Sequence, residues 1–188
     1  MALDLRGTVA LALADSEDAL QDLTRALDLR RETGDRAGQA QTLSNLGLLN
    51  ASMDNDEAAL EHNEQAWQLF RALGDRSSEA TVLHNLAEVF LRLGDGGRAL
   101  QYGRMAFDLH REVGPPAGVA HTLEHIASAY ELLGDARQAS RHYELALEAS
   151  RTLTSRRLEA GILARLGGLQ LAGGSLETVQ NSNNPGAA

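Results

Sequence analysis

The residues best suited to chemistry lie in the string HTLEH, in which His121, Glu124 and His125 are spaced by three residues and then one. Histidines four residues apart share one helix face, and the string fits the H-x-x-E-H pattern, in which zinc polarises a water molecule and the glutamate takes its proton. The string HTLEH occupies 121–125, and two similar strings lie at intervals of forty residues before it: TVLHN at 81–85 and QTLSN at 41–45. This repetition favours a structural role. Adventitious metal binding by His121, His125 and His84 is the weaker alternative.

No other catalytic pattern is present in the sequence. The 188 residues contain no cysteine, which excludes disulfides, thiolate metal sites and cysteine nucleophiles. The glycines that could cradle a phosphate, Gly94, Gly96 and Gly97, fall between two predicted helices and not after a strand. The sequence therefore predicts that the protein is not an enzyme and holds no cofactor.

The charge of the chain excludes some classes of partner. The formal net charge is −9, and every basic side chain other than histidine is arginine. Nonspecific binding to nucleic acid or to an anionic membrane needs a positive surface, so neither is expected. No apolar run is long enough to span a bilayer, and the acidic Asp4 argues against a signal peptide. We expect a cytoplasmic protein.

The chain repeats itself every forty residues. Gly34, Gly74 and Gly114 share one register, and the stretch from Leu69 to Phe90 recurs forty residues earlier and forty residues later. Such periods are typical of stacked helical units, and small residues at fixed positions let helices pack closely. Three recurring series are Leu3, Leu43, Leu83, Leu123 and Leu163; Ala40, Ala80, Ala120 and Ala160; and Gly7, Gly47, Ala87, Ala127 and Gly167.

The spacing of apolar residues predicts two antiparallel helices in each unit, here called the first and the second helix. Glycine ends each second helix in a left-handed conformation, and Asp35 can cap the helix that follows. Turns inside the units are expected at 54–55, 94–95 and 134–135, with a break at Asp15 and Ser16 and a turn at 173–175. The predicted helices are 2–13, 17–33, 36–52, 56–73, 76–92, 96–113, 116–132, 136–153 and 155–171.

The predicted domain organisation is one helical array at 1–174, followed by a helical stub and polar tail at 175–188. The array has a truncated first repeat, about three full repeats and a truncated last repeat. The polar tail, NSNNPGAA, has no apolar stripe.

The third full unit has large, small and aromatic residues at fixed positions, namely Leu123, Ile126, Ala127, Tyr130, Ala139, Tyr143 and Ala146. This pattern resembles the tetratricopeptide repeat. The forty-residue unit is six residues longer than the common one and is similar to the class found in kinesin light chains and bacterial regulatory proteins. The resemblance implies an all-α, right-handed superhelical solenoid whose first helices line a concave groove for a peptide or partner protein.

The resemblance also implies which side chains face that groove. Polar residues dominate these positions, and Asn45 and Asn85 are the most informative, because an amide both donates and accepts and can pair with the backbone of an extended peptide. The alternative is that they are ordinary solvated residues of a helix surface. The implied groove residues are Gln41, Ser44, Asn45, Leu48, Thr81, His84, Asn85, Glu88, His121, Glu124, His125, Ser128 and Arg165, with Gly161, Ala164 and Gly168 beside the last.

The sequence leaves two functions open. The first is a non-catalytic module that binds a peptide or partner domain in the groove. The second is a scaffold that forms a homodimer or larger oligomer through its truncated terminal repeats, where apolar faces around Leu3, Val9, Leu163 and Leu166 lack a covering helix. Either function is compatible with a regulatory fragment of a larger bacterial signalling protein.

Overall fold

The computed structural model describes residues 2–113, 115–151 and 156–182, with side chains described for 16–113, 115, 117–151, 156, 158–169 and 171. These residues form eight α-helices and, within the described ranges, no strand. The helices are α1 (Ala2–Glu32), α2 (Arg36–Ser52), α3 (Asp56–Leu73), α4 (Arg76–Arg92), α5 (Gly96–Val113), α6 (Pro116–Leu132), α7 (Ala136–Arg151) and α8 (Arg156–Ser182). The bounds of α2 to α6 are those predicted. The predicted stop at Gly114 and the last six residues of the tail lie outside the described residues.

The corners between helices explain why these predictions are accurate. Gly34, Gly74, Gly94 and Gly134 have φ values between 70° and 77°, in the left-handed region that glycine adopts without steric cost. An aspartate follows each of these glycines. Its side chain accepts a hydrogen bond from the backbone N–H three residues later, which satisfies one orphan donor at the start of the next helix. The four bonds are Gly38 N to Asp35 (2.9 Å), Ser78 N to Asp75 (3.1 Å), Arg98 N to Asp95 (2.8 Å) and Gln138 N to Asp135 (3.0 Å).

The predicted break at Asp15 and Ser16 is wrong, because α1 runs without interruption from Ala2 to Glu32. The register that holds Gly94 and Gly134 in later repeats holds Ala14 here. Alanine is the strongest helix former and disfavours the left-handed conformation, so the helix continues.

The predicted turn at 173–175 is also wrong, because α8 continues through it to Ser182. Gly174 occupies the corner register, yet no aspartate or asparagine follows it. The sequence beyond it offers no apolar stripe that could fold back and pack, so local helical hydrogen bonds determine the structure.

The chain divides into two units, unit 1 at 1–89 and unit 2 at 90–188. In unit 1, α1, α2, α3 and α4 supply side chains to a buried cluster, and Leu20, Leu23, Trp67 and Leu69 lie at its edge. The buried members are Leu27, Ala40, Leu43, Leu46, Ala66, Phe70 and Val82.

Unit 2 has its own core, in which α6, α7 and α8 supply the buried side chains. The members are Ala120, Leu123, Ala127, Ala139, Tyr143, Ala146, Leu158 and Ile162. Leu166, predicted to be exposed, is half-buried against this core, whereas Leu163 is 54% exposed. The side chains of Leu3 and Val9 lie outside the described residues. Within the described ranges no helix is both long and apolar enough to cross a membrane.

Candidate groove faces on the first helices

The predicted groove residues of unit 1 lie on two first helices, and most of them are accessible. On α2, the side chains of Gln41, Asn45 and Leu48 are exposed and form one stripe at a spacing of four and then three residues. The amide nitrogen of Gln41 donates to the amide oxygen of Asn45 at 3.1 Å. Ser44 is buried at 8% exposure, so it contributes little to any binding surface.

The corresponding stripe on α4 is of mixed character. Thr81 and Glu88 are exposed, while Asn85 and His84 are half-buried. The hydroxyl of Thr81 donates to the carbonyl of Ser77 at 3.2 Å. Asn45 and Asn85 occupy the same register on successive first helices, and Asn45 is exposed while Asn85 is half-buried. We call the stripes of α2 and α4 the unit 1 groove face.

In unit 2, α6 carries the string His121, Glu124 and His125. His121 is exposed, and its Nδ1 lies 3.7 Å from Oε2 of Glu124, at the long end of an ion pair. Burial, and then the neighbouring His121, lower the pKa of His125 to about 4, so its ring is neutral near pH 7. Within unit 2, the described residues include no three histidine, aspartate or glutamate ligands close enough to share one metal ion. Of the three side chains, His121 is exposed, whereas Glu124 and His125 are half-buried.

A connected polar network joins the three helices of the unit 2 core. The hydroxyl of Tyr143 on α7 donates to Oε2 of Glu131 on α6 at 2.9 Å and lies 2.9 Å from the hydroxyl of Ser128. Because the tyrosine proton points to the carboxylate, Ser128 is the donor in the second bond. Nη1 of Arg165 on α8 donates to the same Oε2 at 3.4 Å. The predicted groove residues Ser128 and Arg165 are thus connected through Tyr143 and Glu131, which were not among the predicted groove residues.

The environment of Tyr143 keeps its hydroxyl protonated. Its side chain is fully buried, and this burial raises the pKa of Tyr143 to about 12. The hydrogen bond to Glu131 and the charge of that carboxylate also raise the pKa, whereas the hydrogen bond from Ser128 and the charge of Arg165 lower it. The sequence did contain one signal for this network. Glu131 is a carboxylate at a repeat position that holds the apolar residues Ala51, Leu91 and Leu171 in other repeats.

A separate cleft of about 310 Å³ lies where α1, α2 and α3 meet in unit 1. Its lining carries two arginines and no carboxylate, and it includes none of the predicted groove residues. The lining residues are Arg31, Arg36, Gln39, Leu43, Gln65, Gln68, Leu69 and Ala72.

Solved structures similar to this chain have helical-repeat folds. BtubC (BKLC) from P. vanneervenii aligns with a TM-score of 0.69 at 21% identity, covering 76% of this chain and 59% of that one. The apo form of RapI aligns with a TM-score of 0.80 at 16% identity, covering 93% and 64%. The nearly identical TPR-like repeats of a Podosopora anserina kinesin light chain align with a TM-score of 0.71 at 13% identity, covering 90% and 84%.

These likenesses confirm the all-α helical-repeat fold. The chain spans about three-fifths of the length of BtubC and of RapI. Comparison with curated proteins gives no significant match. Residues 1–72 and 78–152 match the tetratricopeptide repeat. With three-quarters of its length matched in this way, the chain belongs to the tetratricopeptide repeat family.

Proposed function

We propose that this protein is a non-catalytic interaction module that binds an extended segment of a partner protein along its first helices. Tetratricopeptide repeats generally mediate protein–protein interaction. The observation that supports the specific mode is the repetition of an amide, Asn45 and Asn85, in one register of two successive first helices. Since the chain has no cysteine, a reducing compartment suits it, and we propose a cytoplasmic location.

The chemistry of the amide favours a peptide backbone as the ligand. Each asparagine offers two N–H donors and an oxygen acceptor, the same complement that a peptide group requires. In Asn45 the oxygen already accepts from Gln41, so its donors are available to a peptide carbonyl. Exposed Leu48, one turn further along α2, adds apolar contact area of the kind that anchors a side chain of the ligand.

The test is a peptide selection followed by affinity measurement. A random twelve-residue display library is selected against the full chain, and the binding of an enriched peptide is measured by calorimetry. The variant Asn45→Ala with Asn85→Ala is expected to bind about 5-fold to 150-fold more weakly, because each of the two lost hydrogen bonds contributes about 0.5–1.5 kcal/mol.

The matched control removes two exposed amides from second helices. Gln68→Ala with Gln101→Ala should leave the affinity unchanged, since these side chains lie on α3 and α5. Equal binding by the wild type and the asparagine variant would refute the proposed mode. Equal losses in the two double variants would show that the effect is not specific to the unit 1 groove face.

A further inference from the structure

One face of α8 is apolar and uncovered. Ala160, Leu163 and Leu171 are exposed on this face, Leu163 at 54% and Leu171 at 76%. A Cβ placed on Gly167 would have no atom within 4 Å outside its own helix neighbourhood. These four positions recur every three or four residues, so they form one stripe along the helix. We call it the α8 face.

The same registers are buried in the complete repeats. In α2 the equivalents are Ala40 at 0% and Leu43 at 3% exposure, and in α6 they are Ala120 at 0% and Leu123 at 6%. They lie in buried clusters to which the second helix of the same repeat, α3 or α7, contributes side chains. The α8 face is therefore the surface on which a second helix packs, and the partner is missing because α8 continues straight to Ser182.

A complementary surface lies on α1. Ala19, Leu23 and Ala26 stand in the registers by which second helices contact their first helices, and all three are only half-buried. Their equivalents Ala59, Asn63, Ala66, Ala139, Tyr143 and Ala146 are fully buried at 0% exposure. We call the three residues the α1 face.

The continuity of α1 accounts for the partial exposure of this second surface. Residues 2–13 belong to the same helix as 17–32, so they cannot fold back to supply a first helix. Within the described residues, α8 is thus a first helix on which no second helix packs, and residues 17–32 of α1 are a second helix on which no first helix of the same repeat packs. The exposed positions on the two helices fall in matching registers of the repeat.

We propose that α8 of one copy of this chain packs on α1 of a second copy and completes a repeat between them. The register defines the contact. Gly47 lies against Asn63 within unit 1, and the equivalent pair is Gly167 of one copy against Leu23 of the other. The two surfaces are different, so the association is head-to-tail, and it continues until a ring closes or a filament forms.

This assembly goes beyond the proposed peptide binding and does not depend on it. The α1 and α8 faces contain none of the residues of the unit 1 groove face. Either activity can therefore fail in a test while the other holds.

The first experiment measures mass by light scattering across a wide concentration series. For the wild type, the mass should rise with concentration. Leu163→Glu blocks the α8 face and Ala19→Glu blocks the α1 face, so each variant alone should be a monomer. Mixed in equal amounts, they should form a one-to-one dimer, because each still has the surface that the other has lost.

The control is Leu145→Glu on α7, where the leucine is 42% exposed and lies outside both faces. It should assemble as the wild type does. A wild type that stays monomeric at every concentration overturns the proposal, and so does a mixture that stays monomeric. If Ala19→Glu alone forms dimers, α8 pairs with α8 and the head-to-tail contact is wrong.

A second experiment avoids charged substitutions that could impair folding. Because the chain has no cysteine, Gly167→Cys in one copy and Leu23→Cys in another introduce the only thiols. Mild oxidation of the mixture should yield the mixed disulfide in preference to either homodimer. Glu17→Cys, an exposed position off the α1 face, replaces Leu23→Cys in the control. Equal cross-linking of Gly167→Cys to Leu23→Cys and to Glu17→Cys would contradict the proposed pairing of Gly167 with Leu23.

Discussion

Gly47 of α2 lies directly against the side chain of Asn63 of α3. A Cβ on Gly47 would stand 2.6 Å from Cγ of Asn63, closer than carbon atoms pack. Asn63 is fully buried, and its amide nitrogen donates to the carbonyl of Ala59 at 2.8 Å. Among the described residues its amide oxygen has no hydrogen-bond partner. The absence of a side chain at Gly47 thus leaves the room that the Asn63 side chain occupies.

This contact predicts a coupled pair of substitutions. Gly47→Ala should lower the free energy of unfolding by about 1–3 kcal/mol, because the added methyl overpacks a full site. In the Asn63→Ala background the same change should cost far less, since the opposing side chain is gone. Urea denaturation of the four proteins measures the coupling. Purely additive effects would show that the two side chains do not compete for the same space.

The Tyr143 network predicts a loss of stability at high pH. The pKa of Tyr143 is about 12 in the folded chain and near 10 when it is unfolded. The folded state holds the proton more tightly, so this contribution is complete below pH 10 and is lost as the pH rises through 12. Absorbance of tyrosinate during a pH titration should show a tyrosine that ionises near pH 12.

Tyr143→Phe should remove that late ionisation, whereas Tyr102→Phe, another tyrosine change in unit 2, should leave it. If the late ionisation survives in Tyr143→Phe, the assignment to Tyr143 is wrong. Denaturation of the wild type at pH 10 and at higher pH should show the accompanying fall in the free energy of unfolding.

The corner at Asp54 predicts a stabilising substitution. Asp54 has φ of 59°, although the corresponding corners at Gly94 and Gly134 use glycine. A side chain in the left-handed region costs about 1 kcal/mol, so Asp54→Gly should stabilise the chain by up to about that amount. The reverse change, Gly134→Asp, should destabilise it, since a Cβ there meets no other atom and only the backbone conformation is affected. Thermal unfolding of both variants checks the opposite signs.

Local chemistry explains how much of the fold the sequence could predict. Glycine followed by aspartate marks the corners at Gly34, Gly74, Gly94 and Gly134. The other bounds of α2 to α6 follow from the turn residues Asp54 and Asn55 and from Pro115, which precedes α6. Residue 14 is alanine and not glycine, so the corner expected there does not form, although Asp15 follows it, and α1 is continuous. Helix spacing could not show this, because an amphipathic pattern continues on both sides of the missing corner.

The candidate site was less predictable for a different reason. Register identifies which helix face a residue occupies, and it placed Gln41 and Asn45 on an exposed stripe. It could not show that Ser44 is buried, because that depends on the packing of neighbouring helices. Nor could it show that Tyr143 reaches Glu131, since the register of Tyr143 holds Asn63 and Gly103 elsewhere and their side chains are shorter.

Glu131 shares one oxygen, Oε2, between a buried phenol and an exposed guanidinium. A ligand carboxylate that captured Arg165 would withdraw the cation from this oxygen, and the altered charge would reach the Tyr143 hydroxyl through a single atom. Because the charge of Arg165 lowers the pKa of Tyr143, loss of that cation would raise the pKa further, and the phenol would hold its proton more tightly.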